Sequence, residues 1–172
     1  MDKIEYIKIY NESLSHYTTE SKKDFKIDDN LVYHNHLGTW INFKIDDCIA
    51  LCDLFHEAHN YVYSLKVGQN ITIRSYGDDQ TATIIKINYR RLNFNPERVL
   101  KTGIIPISSL TIKTKNSEYK IEPTDIKYKN STIYDILQIF RMFKPNGYHF
   151  FSQYDINNAL VILKNKGGDN IK

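Results

Sequence analysis

An α+β fold is predicted, built on a central buried helix, a small curled antiparallel sheet or barrel, and two C-terminal helices. Three observations lead there. Residues 46–66 carry apolar side chains nearly all round a helical projection, which marks a helix packed on more than one side. Residues 65–122 change to a period of two, broken by turn residues. Residues 131–166 return to helical spacing twice, with a Pro-Asn-Gly stop between the two runs.

From the N-terminus, Ile4, Ile7 and Leu14, with Tyr10 nearby, fit one helical stripe over residues 4–16, while the β-branched and aromatic content suits a strand, and a helix is expected. Residues 18–30 are polar and unpatterned and read as a loop or linker. Residues 31–43 read as a hairpin. Leu31, Val32 and Tyr33 run up to a Leu37-Gly38 turn, and Trp40, Ile41 and Phe43 return. The central helix follows, capped by Asp46 or Asp47 and stopped by Gly68. Its polar residues, Asp46, Asp53, Glu57, Asn60 and Ser64, form only a narrow stripe.

In the strand region, Ile71 and Ile73 alternate toward a Gly77-Asp78-Asp79 turn, and Ala82, Ile84 and Ile87 lie on the return. Residues 89–101 are irregular and contain Pro96. A second hairpin spans 105–122, turning at Lys115-Asn116-Ser117. The run "VGQNITI", in which a glycine leads into a strand, resembles the opening of SH3-like and translation-type barrels. That resemblance implies that the curled sheet is an SH3-like barrel.

The first closing helix is expected over 132–143, capped by Ser131, with Ile133, Ile136, Leu137, Ile139, Phe140 and Phe143 apolar. The second starts at Ser152, where "SQYD" resembles a capping box. Ile156, Leu160 and Leu163 are its expected buried face, and "GGDNIK" its frayed tail.

With 172 residues, 41% hydrophobic and 25% charged, the chain falls in the ordinary range for globular proteins and outside that of disordered ones. No run approaches the roughly 18 apolar residues of a membrane span. Met1-Asp2-Lys3-Ile4-Glu5 is no secretory signal, so a cytoplasmic location is expected. Cys48 and Cys52 are read as reduced, buried thiols. Lys, Ile, Asn and Tyr abound, which suggests an A/T-rich genome, such as that of a bacterium, its phages or plasmids, or a large DNA virus. Residues 1–62 hold 6 Lys against 11 acids, a net of −5, and residues 63–172 hold 17 Lys or Arg against 9 acids, a net of +8. The expected organisation is therefore an acidic part, 1–62, and a basic barrel-like part with two helices, 63–172. The alternative is one compact domain whose two parts attract each other by charge. Such asymmetry also suits a nucleic-acid or acidic partner.

Two sets of residues are candidates for chemistry. His34 and His36 alternate on one strand face, and Cys48, Cys52, His56 and His59 fall within roughly an 80° arc of the central helix. The set spans about 16 Å of helix axis, too far for one ion, and "HEAH" is one residue short of the metalloprotease HExxH. No metal is expected, and no cofactor motif is present. The order of "HNH" at 34–36 and "YSLK" at 63–66 resembles rolling-circle initiators and relaxases, which pair a His-hydrophobic-His strand with a helical Tyr. Asn35 breaks that pattern, and the apolar helix is expected to conceal Tyr63.

The second set is the basic segment. Lys86, Arg90, Arg91, Arg98 and Lys101 alternate with Tyr89 and Phe94, pairing phosphate-neutralising cations with rings able to stack bases. Lys113, Lys115, Lys120, Lys127 and Lys129 add charge nearby. The expected function is a non-enzymatic intracellular binding or regulatory protein. It would be a phage or mobile-element accessory factor engaging nucleic acid or a nucleic-acid-handling protein, inhibition of a host defence nuclease being one version. The alternatives are a metal-dependent phosphodiester enzyme using the histidines, and a virion or assembly subunit.

Overall fold

The computed structural model describes residues 1–90 and 105–166. It is α+β, and the chain divides into two compact units, residues 1–54 with 138–172 and residues 55–137. Cut this way, the second unit holds 12 Lys or Arg against 8 Asp or Glu, and the first 11 against 12. The positive excess thus belongs to the unit that carries the larger sheet.

In the first unit, helix α1 (Lys3–Ser15) starts where the Asp2 carboxylate accepts the Glu5 N–H at 2.8 Å. Its buried face is Tyr6 and Tyr10, not the expected aliphatic stripe, and Ile4 is 81% exposed. The Tyr6 hydroxyl donates to the Phe143 carbonyl at 2.6 Å, which satisfies its polar end, whereas the Tyr10 hydroxyl is buried with no hydrogen-bond partner among the described residues. The segment expected to be a loop instead forms a short helix α2 (Thr19–Lys22), capped by Thr18, and strand β1 (Phe25–Ile27). Only three residues of β1 pair, too few to print a period on the sequence. Strands β2 (Leu31–His36) and β3 (Thr39–Lys44) form the expected hairpin, and the sheet runs β1-β2-β3, all antiparallel.

Helix α3 (Ile45–Tyr63) follows β3 directly, one residue before the expected caps. Its exposed polar residues Asp46, Asp53 and Asn60 recur every seven positions, as the narrow polar stripe requires.

The second unit is built on strands β4 (Asn70–Ser75), β5 (Asp78–Tyr89), β6 (Ile107–Lys113) and β7 (Glu118–Ile121), in the order β4-β5-β6-β7. Ile71, Ile73, Ala82, Ile84, Leu110, Ile112 and Ile121 are buried on its inner side. After a 3-10 turn (Pro123–Asp125), Ile126 bridges back to Ile73 on β4, which curls the sheet. Among the described residues no ladder closes it into a barrel. A small hairpin, β8 (Lys127–Tyr128) and β9 (Ser131–Thr132), leads into α4 (Ile133–Phe143).

The β4–β5 turn is tighter than expected. Ser75 pairs with Asp78, leaving only Tyr76 and Gly77 in the loop, with φ of 51° and 89°. Both positive angles match a type I′ turn, whose twist suits the strands. Tyr76 is fully exposed, so it holds this left-handed conformation without compensating contacts. Tyr76→Asn is therefore expected to stabilise the protein by about 0.5–1 kcal/mol. Urea denaturation checks this, and a loss of stability would count against the turn assignment.

Thr132, rather than Ser131, caps α4, its hydroxyl accepting the Asp135 N–H at 3.1 Å. Helix α5 (Gln153–Lys166) has the expected capping box. The Ser152 N–H donates to the Asp155 carboxylate at 2.7 Å, and the Asp155 N–H to the Ser152 hydroxyl at 3.3 Å. Its buried face is Ile156, Ala159 and Ile162, while Leu160 is 45% exposed. The tail expected to fray lies outside the described residues. No helix among the described residues is long and apolar enough to cross a membrane.

Candidate nucleic-acid interface

Strand alternation sorts the larger sheet into an apolar inner face and a polar outer one. An extra residue, Ile85, interrupts the β5–β6 ladder between Ile84 and Lys86. This bulge resets the alternation and turns Lys86 to the outer face, opposite Thr111. Thr111 in turn lies opposite Lys120 on β7. The result is a cross-strand row, Lys86–Thr111–Lys120, with two lysines on flanking strands and a hydroxyl between them. Strand spacing puts the two lysine backbones roughly 10 Å apart. Lys113 stands two residues along β6 from Thr111, between Thr83 on β5 and Glu118 on β7, with which it forms no ion pair within 4 Å. Lys86, Lys113 and Lys120 are exposed, and among the described residues none has a carboxylate within 4 Å. The neighbouring rows are also polar. The Thr83 hydroxyl donates to the Asn70 side chain at 2.8 Å, and the Asn88 amide to the Ser109 hydroxyl at 3.0 Å.

Of the residues singled out from sequence, Lys86 and Tyr89 are exposed on β5, Tyr89 by 57%. Arg90 follows them, its Nε donating to the Ile105 carbonyl at 2.9 Å and its backbone N–H to the Pro106 carbonyl at 2.9 Å. Arg90 therefore clips two chain segments together, and its removal costs roughly 0.5–1.5 kcal/mol for a hydrogen bond. Arg91, Phe94, Arg98 and Lys101 lie outside the described residues. Lys127 and Lys129 are engaged elsewhere, Lys127 with Asp79 and Lys129 with Glu57 at 3.3 Å. The row itself escaped sequence reading because its members are 25 and 9 residues apart and depend on the bulge for their alignment.

The groups suited to covalent or metal chemistry are mostly enclosed. Cys48 and Cys52 are free thiols, 0% and 1% exposed, and burial pushes the Cys52 thiol up to about 12. Neither is a nucleophile at neutral pH. His34 and His36 share a strand face as expected, but His34 is buried against Phe25, Phe150 and Phe151, and its Nδ1 donates to the Phe151 carbonyl at 3.2 Å. On α3, burial lowers the pKa of His59. Tyr63 does not fit the expected concealment. It ends α3, is 58% exposed, and stacks on His59 at 6.2 Å. Among the described residues no group of three or more His, Cys, Asp or Glu side chains is placed to hold a metal ion.

Compared with protein-family models, curated proteins and solved structures, the chain has no match in any of the three.

Proposed function

We propose that this chain is a non-enzymatic nucleic-acid-binding protein that contacts phosphates through the outer face of the β4–β7 sheet. The observation that supports this reading is the row Lys86–Thr111–Lys120, with Lys113 beside it, free of carboxylate partners among the described residues. Lysines, threonines and asparagines are the side chains that position a protein on a phosphate backbone. The rows carry no ring for stacking and no convergent acid–base pair, so the face suits sequence-independent backbone contact rather than catalysis. An accessory role in nucleic-acid handling, as the composition suggests, is compatible with such a face.

Fluorescence anisotropy with labelled single- and double-stranded oligonucleotides at several salt concentrations tests this. Affinity is expected to fall with salt at a log–log slope of roughly −0.7 to −0.9 per phosphate contacted. The double variant Lys86→Ala, Lys120→Ala is expected to lessen that slope by about one to two contacts, with stability within about 0.5 kcal/mol of wild type. These exposed lysines are better probes than Arg90, which bonds to backbone. Absent or salt-independent binding would refute the reading, as would an unchanged slope in the double variant.

A further inference from the structure

The smaller sheet, in the first unit, has an outer face of different character. Val32, His34 and Phe43 are buried on one side, so Lys26, Tyr33, Trp40 and Asn42 stand on the other. Tyr33 lies opposite both Lys26 and Asn42, and Trp40 is two residues from Asn42 on β3. Lys26, Ile27, Asp28, Tyr33 and Trp40 line an open groove of about 620 Å³, within the size range of small-molecule sites. Trp40, the chain's single tryptophan, is 37% exposed there, a large ring held on a regular strand rather than drawn into the core.

We propose that this groove is a stacking site for a nucleobase, with Lys26 taking the attached phosphate. The Lys26 ammonium lies 4.0 Å from the centroid of the Trp40 ring. That contact shows an indole face within reach of a polar group and a cation beside it, the pairing used to bind single-stranded nucleic acid. An incoming base takes the ring face, and the displaced ammonium moves a short distance onto phosphate. Lys26 has no carboxylate within 4 Å among the described residues. Asp28 is the one acid lining the groove, and it is committed to the turn. One carboxylate oxygen accepts the N–H groups of Asn30 and Leu31 at 2.8 and 2.6 Å, and the other accepts the Tyr33 hydroxyl at 3.3 Å. With two rings, a cation and one aliphatic side chain, the lining suits a flat anionic ligand better than an apolar peptide. The resident ammonium disfavours a cationic ligand.

This inference adds base contacts to the phosphate contacts of the other sheet and rests on its own residues. Trp40 emission reports directly on the groove because no other tryptophan contributes. The full chain would be titrated with a labelled oligo(dT) decamer, following label anisotropy and tryptophan emission together. An abasic decamer and tetramethylammonium chloride serve as separate titrants. Oligo(dT) is expected to quench Trp40 saturably, and the abasic decamer to leave it unchanged. Trp40→Ala, followed by label anisotropy, is expected to weaken the decamer by about fivefold or more, the loss of one stacked base. Lys26→Ala, at an exposed position, is expected to lessen the salt slope by about 0.7. Binding seen by anisotropy with unmoved Trp40 emission would overturn the stacking site and leave the sheet reading intact. Equal quenching by the abasic decamer, or quenching by tetramethylammonium alone, would overturn it too. No binding of any oligonucleotide would overturn both readings.

Discussion

Phe55→Ala is expected to destabilise the protein by roughly 3–5 kcal/mol, the cost of emptying a buried aromatic site. Phe55 is 2% exposed on α3, with ring centroids 6.0 Å from His56 and 6.1 Å from His59. A domain's whole stability is about 5–15 kcal/mol, so this one substitution removes a large share of it. For a chain of this size the melting temperature should fall by about 10 °C. Ile4→Ala is the matched control. Ile4 is equally apolar but 81% exposed on α1, and its truncation should change stability by no more than about 0.5 kcal/mol. Thermal melting of both variants decides the point. Equal effects would mean that the burial of α3 is misassigned.

Acidification from pH 6.5 to 4 is expected to cost about 3 kcal/mol through His149 alone. This residue is 2% exposed, with its ring 4.1 Å from that of Tyr10, 6.0 Å from Tyr17 and 6.2 Å from Phe25. Burial lowers its pKa from 6.5 to about 4, against a smaller opposing effect from the Pro145 carbonyl, 2.6 Å from Nε2. In the unfolded chain the ring protonates near pH 6.5, and in the folded chain only near pH 4. Between these values the unfolded state binds more protons. Stability is therefore complete above pH 6.5, declines as the pH falls through the interval, and levels off below it. His59, whose pKa is also lowered by burial, acts in the same direction. Asp28 and Asp79 are shifted below 3.8, so most of their losses fall at more acid pH, while Asp125, raised by burial, acts in the opposite direction to the histidines. His149→Asn accommodates the positive φ of 57° and removes the titration. Its stability should be flatter between pH 4 and 6.5 when followed by urea denaturation. A slope equal to that of wild type would exclude His149 as the source.

Local chemistry was legible in the sequence wherever neighbours along the chain determine the outcome. The Leu37-Gly38 turn, the Ser152–Asp155 capping box and the seven-residue recurrence of the polar stripe of α3 each rest on spacings of seven residues or fewer. Spacing two within each strand likewise sorts Ile71 with Ile73 and Ala82 with Ile84. Tertiary structure decided what depends on distant partners. Periodicity pointed to an aliphatic stripe on α1, whereas Tyr6, whose hydroxyl donates to the Phe143 carbonyl, and Tyr10 are the residues the helix buries. Strand β1 exists only because β2 offers three residues for it to pair with. On α5, Ala159 is buried and Leu160 is not, because the space available against the helix, rather than side-chain hydrophobicity, chooses which residue faces inward. The two candidate interfaces follow the same rule. Lysines 86, 113 and 120 are visible as charges in the sequence, but a single bulged residue sets their common face, since a shift of one position in a strand moves every following side chain to the other side. Trp40 reads as one more apolar residue of a hairpin until the register opposite Asn35 places it on the outer face, beside Lys26. Pairing across strands is a long-range choice made by the whole sheet, and no local pattern encodes it.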